Sequence, residues 1–293
     1  MLVTLTILWG LTFPATKVSL ETMTPWQFLA FRFTIGTLLF VPFVLHSLKR
    51  TSLSGLDVRR IIRFGVGVGV LLFLGFALQA VGMKYTTASR SGFFTGLLTL
   101  MVPLIAMAFR TSRTSFSVWI ALPVALAGIY LLVDPELGNL NIGDLLTIGC
   151  ALAFAFQMVG LEATNNRLTS SGVSTGGEAA TNLLTLAQMV VISLATIGIA
   201  IWDGQPLSIN RTSWWGIGYT AVFGSLIAVW LQTKYQPKVP ASYAGMIFTL
   251  EPLWAALFAW LLLGDPWTGR ALIGAGFILL AMVISSLGKQ SER

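Results

Sequence analysis

The sequence has little of what most chemistry needs. It holds one cysteine, Cys150, and one histidine, His46. A single cysteine excludes an intrachain disulfide and any cysteine-based metal site. His46 ends an apolar run with no neighbouring ligand set, so no metal is expected there. Charged residues make up 10% of the 293, against about 25% in a soluble domain. That leaves too little polar surface to face water, whereas a chain in lipid needs apolar surface instead. Gly65, Gly67 and Gly69 follow no strand and read as helix-packing sites, not a nucleotide loop. No phosphate loop, nucleophile–base pair or metal-ligand cluster stands anywhere. Active transport powered by an ATPase domain of this chain is thereby excluded, and no cofactor is called for. An intramembrane enzyme would need convergent acids, a histidine set or a metal within the spans. A sensor or scaffold would need an appended recognition domain.

What is present is apolar: 55% hydrophobic residues and a mean hydropathy of +0.81. The chain opens MLVTLTILWGLTF, with neither a basic segment nor a small-residue cleavage site before Lys17, which reads as a retained first helix. Runs of about 20 apolar residues each suit one crossing. Ten are expected: Leu2–Leu20, Trp26–Leu45, Ile61–Met83, Ala88–Phe109, Phe116–Val133, Gly143–Glu162, Ala179–Trp202, Trp214–Gln232, Ala241–Leu263 and Thr268–Leu287.

The net charge of +7 follows the loops and does not point to a nucleic-acid partner. Lys49, Arg50, Arg59, Arg60, Arg63, Arg110, Arg113, Arg167, Lys234, Lys238, Lys289 and Arg293 fall on one side of the expected membrane. Lys17, Lys84, Arg90, Arg211 and Arg270 fall on the other. The positive-inside rule then puts both termini in the cytoplasm. Trp26, Trp202, Trp214, Trp215 and Trp267 all fall at outer ends, where aromatic belts form.

The two halves repeat. LQAVGMKYTTAS from Leu78 parallels LQTKYQPKVPAS from Leu231, and the Ala-Ser of each is followed by Gly92 or Gly245. AGIYLL at Ala127 parallels AGFILL at Ala275, and Leu20-Glu21 parallels Leu161-Glu162. Pro103 corresponds to Pro252, although the second half is four residues shorter between Ala-Ser and Pro. By that proline, the position of Glu251 is Val102 in the first half. Five spans per repeat is an odd number, so the second repeat enters the membrane inverted. In transporters built this way the substrate site lies near the midplane, between the repeats.

These segments resemble the EamA-type branch of the drug/metabolite transporter superfamily. The resemblance is carried by WGLTFPATK from Trp9, LAFRF with Arg32, GFALQAVGMKYTTASRSGFFTGL from Gly75 and GDLLTIGCALAFAFQ from Gly143. FTLEPLWAALFAWLLLGD from Phe248 and LIGAGFILLAMV from Leu272 complete it. Asp265 stands where such segments commonly carry Glu. The resemblance implies ten helices, cytoplasmic termini and transport of small organic solutes, often outward. The expected fold is all-α and polytopic: ten transmembrane helices as two inverted five-helix repeats, residues 1–134 and 143–288, with a short cytoplasmic tail at 289–293.

Glu251 is the leading site candidate. It sits near the middle of the ninth span, where an ionisable group is costly and marks function by default. Binding a proton would discharge it, which suits a proton carrier; otherwise it bonds a neighbouring helix and holds the kink of Pro252. Arg32 lies about two turns inside the second span. It pairs either with a substrate carboxylate or with an acid such as Glu251, or it snorkels to the interface. Pro14 lies in the interior of the first span and is expected to kink it. Trp9 and Phe13 share a helix face beside Thr12, available either for a substrate or for packing. The same choice applies to Phe154, Trp230, Trp254 and Trp260. Gln79, Gln157, Gln188 and Asn182 either line a hydrated path or join helices.

The function expected is secondary transport of small organic metabolites, such as amino acids or related compounds, by alternating access in a bacterial-type inner or plasma membrane. The partners are the substrate, the lipid bilayer, and protons or an exchanged solute. A drug or multidrug efflux carrier of the same fold is the main alternative, with a channel or an intramembrane enzyme behind it.

Overall fold

The computed structural model describes residues 1–51, 53–86, 88–112, 114–135, 139–173, 177–263 and 268–291. Arg113, Asp265, Trp267 and Arg293, which entered the expectations above, lie outside them. The described chain is helical, and its crossings are numbered here α1 to α10. The first half holds α1 (Leu2–Leu20), α2 (Pro25–Lys49), α3 (Gly55–Gly82), α4 (Ala88–Gly96 and Leu98–Ala108) and α5 (Phe116–Val133). The second holds α6 (Ile142–Ser170), α7 (Glu178–Asp203), α8 (Arg211–Tyr219, Thr220–Ile227 and Ala228–Tyr235), α9 (Ala241–Phe248 and Leu250–Leu263) and α10 (Gly269–Ser291). Nine segments among the described residues are long and apolar enough to cross a membrane, and broken α9 is the tenth crossing. Leu2 and Ser291 lie on one face, called near here; α1 ends on the opposite, far face.

Helix starts follow local chemistry. Thr24 accepts from the Gln27 backbone N–H while the Gln27 side chain accepts from Thr24, a reciprocal cap completed by Pro25 in the first turn. Asn141 and Asp144 repeat the device at the start of α6. Side chains then sort by face. Along α3, Ile62, Val66, Val70 and Leu74 are exposed at four-residue spacing, as a lipid-facing stripe requires. Gly65 and Gly69 on another face let α3 approach α7: an added Cβ would sit 2.6 Å from the Ala187 Cβ and 2.9 Å from the Gln188 Cα. Gly67 faces open space, with nothing within 4 Å.

The packing is symmetric under exchange of the halves. α1 packs on α8 and α9, as α6 packs on α3 and α4; α2 meets α7, α4 meets α9 and α5 meets α10. Contacts that map onto themselves in this way are what two inverted five-helix repeats must make.

The broken crossings are repeat mates. α4 breaks at Leu97 and α9 at Thr249, ahead of Pro103 and Pro252 rather than at them. Each proline lacks an N–H for the carbonyl four residues back. The hydroxyl of Thr249 turns to the Met246 carbonyl at 2.6 Å. Pro14, by contrast, lies inside α1, which is helical without interruption from Leu2 to Leu20. The middle of α8, Thr220–Ile227, is a π-helix that the sequence pattern did not announce.

Candidate functional site

A cavity lies between the halves, with about 610 Å³ of empty space that includes its open mouth. α1 supplies Trp9, Thr12, Phe13 and Thr16, and α3 supplies Leu72, Phe76, Gln79 and Met83. Thr95 and Leu98 flank the break in α4, and Phe248 and Glu251 flank the break in α9. Phe154, Gln157 and Met158 of α6 and Gln232 of α8 complete the wall. Along α1 the lining climbs from Trp9 to Thr16, about 10 Å at helical rise, and Met83 carries it to the far end of α3.

Six of the eight expected site residues meet on this wall: Glu251, Trp9, Thr12, Phe13, Gln79 and Gln157. Glu251 makes no hydrogen bond and no ion pair among the described residues. Its half-buried carboxyl faces the cavity beside the break at Thr249. Trp9 donates its indole N–H to the Gly224 carbonyl at 3.2 Å and stands edge-on to Phe248 at 5.3 Å. Thr12 donates to the Trp9 carbonyl at 2.7 Å.

Arg32 and Trp254 are not on the wall. Arg32 is 3% exposed, so it does not snorkel. It forms no ion pair with Glu251 among the described residues. Its Nε instead donates to Ser225 at 2.7 Å and its terminal nitrogen to the Gly224 carbonyl at 3.1 Å. The guanidinium lies 4.7 Å from the Phe76 ring centre and 5.2 Å from that of Phe33. Gly224 lies within the π-helix, and its carbonyl accepts from both Arg32 and Trp9. Trp254 donates to Thr6 at 3.1 Å and packs where Gly10 lets α1 approach α9; an added Cβ at Gly10 would sit 2.5 Å from the Trp254 Cβ.

The other polar residues divide. Gln157 and Gln232 exchange two amide hydrogen bonds, at 3.4 and 3.1 Å. Gln188 donates to Thr233, and Asn182 accepts from Trp230, so both join helices. Trp260 faces outward. Two charged clusters absent from the expected site tie the halves together. At the far face Arg90 pairs with fully buried Asp144, which also accepts from Thr86 at 2.6 Å. At the near face buried Glu162 accepts from the Ala241 N–H at 3.2 Å and from Ser112 at 3.3 Å.

Sequence reasoning missed Leu72, Phe76, Met83 and Met158, for which the repeat gives no signal, and also Thr16, Gln232, Thr95, Leu98 and Phe248, which the repeat itself could have found. With Glu21 set against Glu162, Phe13 matches Phe154 and Thr16 matches Gln157. With Gln79 set against Gln232, Thr95 matches Phe248 and Leu98 matches Glu251. All five pairs line the cavity. The mate of Glu251 on the wall is therefore Leu98. Val102, which the proline alignment offered, is fully buried against Gly245 instead. The four-residue difference between the halves lies after the break, not before it.

The profile of the EamA-like transporter family matches residues 1–134 and 141–287. An uncharacterized transporter of Archaeoglobus fulgidus is 30% identical over 281 residues, covering 96% of this chain and 83% of its own. The uncharacterized inner membrane transporter YedA of Escherichia coli strain K12 is 27% identical over 97% of this chain and 88% of its own. A solved structure titled only as the crystal structure of a protein superposes with a TM-score of 0.77 at 16% identity, covering 99% of this chain and 96% of that one.

Proposed function

Because the chain belongs to the EamA-like transporter family, we propose that it carries small organic metabolites, amino acids or related compounds, out of the cell by alternating access, with Glu251 as the proton-coupling residue. That it is a membrane-embedded transporter is the premise; solute, direction and coupling are the proposal. The observation that carries it is Glu251: an acid without a hydrogen-bond partner among the described residues, on the wall of a cavity between two inverted repeats. An acid placed there can take a proton from one side and release it to the other as access alternates, so that one ionisable group couples two fluxes. The positive-inside rule makes the near face, with Lys49, Arg59, Arg60 and Arg63, the cytoplasmic one. The far face, where Trp202, Trp214 and Trp215 expose their rings, is then external in a bacterial-type inner or plasma membrane.

The wall also favours solutes with an apolar body. Trp9, Phe13, Phe76, Phe154 and Phe248 surround a few amides and one acid, which keeps efflux of amphipathic drugs as the second reading. A thermal-shift screen of the purified protein against both compound classes separates them, because ligand binding raises apparent stability. The coupling test is Glu251→Gln in proteoliposomes, with the solute so identified. Flux driven by a pH gradient should disappear while the variant stays folded and still binds. Unchanged pH-dependent flux would end the proton role.

A further inference from the structure

The cavity has a symmetric core and an asymmetric extension. Five repeat-related pairs form the core. On α3, Leu72 and Phe76 line it on the near side of Gln79, and Met83 carries it past Gln79 toward the far face. Their mates at the same offset, Ser225, Val229 and Gln236, do not line it. Ser225 is bonded to Arg32, Val229 is fully buried, and Gln236 donates to the Met158 carbonyl at 3.1 Å. Gln236, at the near end of α8, is thus bonded, whereas its mate Met83 stands open at the far end of α3.

One quartet of repeat mates carries the same asymmetry in its hydrogen bonds. Gln157 on α6 and Gln232 on α8 are joined by two amide bonds. Their mates, Thr16 on α1 and Gln79 on α3, both line the open cavity, and no hydrogen bond joins them. In an inverted repeat the opposite conformation is made by giving each half the arrangement of the other. We propose that Thr16 and Gln79 form the far-side closing pair, hydrogen-bonding across the cavity when Gln157 and Gln232 separate.

This inference rests on the alternating-access reading above and sharpens it. Two facing amides exchange two bonds, whereas a hydroxyl facing an amide makes one in good geometry. The far lock is therefore one bond weaker than the near lock, which favours the far-open state with its Gln157–Gln232 pair. Restoring the missing amide should shift the balance toward near-open, and removing the near lock should shift it further.

The test uses a reporter cysteine, Phe13→Cys, in a Cys150→Ala background of the full chain in proteoliposomes. Membrane-impermeant maleimide is applied from each face, and the ratio of near-face to far-face labelling rates is read. Thr16→Gln should raise that ratio about threefold, and Gln232→Leu about eightfold, for one and two interhelical bonds of average strength. Thr16→Cys with Gln79→Cys, in the same background without the reporter, should be joined by a short bifunctional methanethiosulfonate. A bridging reagent is needed because side chains that meet tip to tip hold their backbones too far apart for a disulfide. If the reporter is reached from both faces but Thr16→Gln leaves the ratio unchanged and the cysteine pair never joins, the closing pair is wrong and alternating access stands. A reporter reached from one face in every variant would overturn both.

Discussion

Replacing Gly274 with alanine should loosen the crossing of α5 and α10 more than any other small change on that helix. The Cβ would overlap the Leu132 nitrogen and sit 2.6 Å from the Gly128 oxygen and 2.9 Å from the Leu131 carbonyl carbon. All three are backbone atoms, so no side chain can swing away and whole helices must part. Overpacking of this kind costs about 1–3 kcal/mol, and parted helices also lose the close contacts that drive association in lipid. Alanine's better helix propensity returns about 1 kcal/mol at most. Gly276, two residues on, has nothing within 4 Å, so Gly276→Ala keeps the propensity gain without the clash. The propensity gain is common to both variants, so they should differ by the overpacking cost, about 1–3 kcal/mol. Reversible unfolding in mixed micelles, followed by tryptophan fluorescence, reads that difference directly. The pair is informative because the repeat sets Gly276 against Gly128, whereas in the structure Gly274 is the residue packed on Gly128. If Gly276→Ala were the more damaging, or the two were equal, the crossing described here would be wrong.

Four further outcomes are expected. Asp144→Asn should destabilise by about 3–5 kcal/mol, because it breaks the buried Arg90–Asp144 pair; a double-mutant cycle with Arg90→Met should show strong coupling. Arg32→Lys should cost about 1.5–3 kcal/mol for each directed bond lost to Ser225 or Gly224, read in the same unfolding assay. Gly224→Ala puts a Cβ 2.6 Å from Thr12 Cγ2. It should displace α1 from α8 at a cost of about 1–3 kcal/mol and reduce solute flux in protein that still elutes as folded. Arg110 adopts a left-handed backbone with φ 53, so Arg110→Gly should stabilise by about 1 kcal/mol.

The sequence by itself determined the crossings, the repeat and the family. Lipid offers no hydrogen bonds, so each span must be a long, self-satisfied, apolar helix, and that leaves a signal in hydropathy alone. Glu251 was legible for the same reason: an ionisable group inside such a span is costly and stands out against its apolar neighbours. Gln79 and Gln157 were legible as polar residues within spans, but their fates differ, one open to the cavity and one paired with Gln232. Only the tertiary structure decided that. It also decided that α9 breaks at Thr249, that the Gly224 carbonyl accepts from both Arg32 and Trp9, and that Gly274 makes the crossing that Gly276 resembles. Each depends on how far a helix is rotated about its axis and on what its neighbour presents at that height. A periodic apolar sequence in lipid leaves that rotation undetermined, because every face is apolar until another helix covers it.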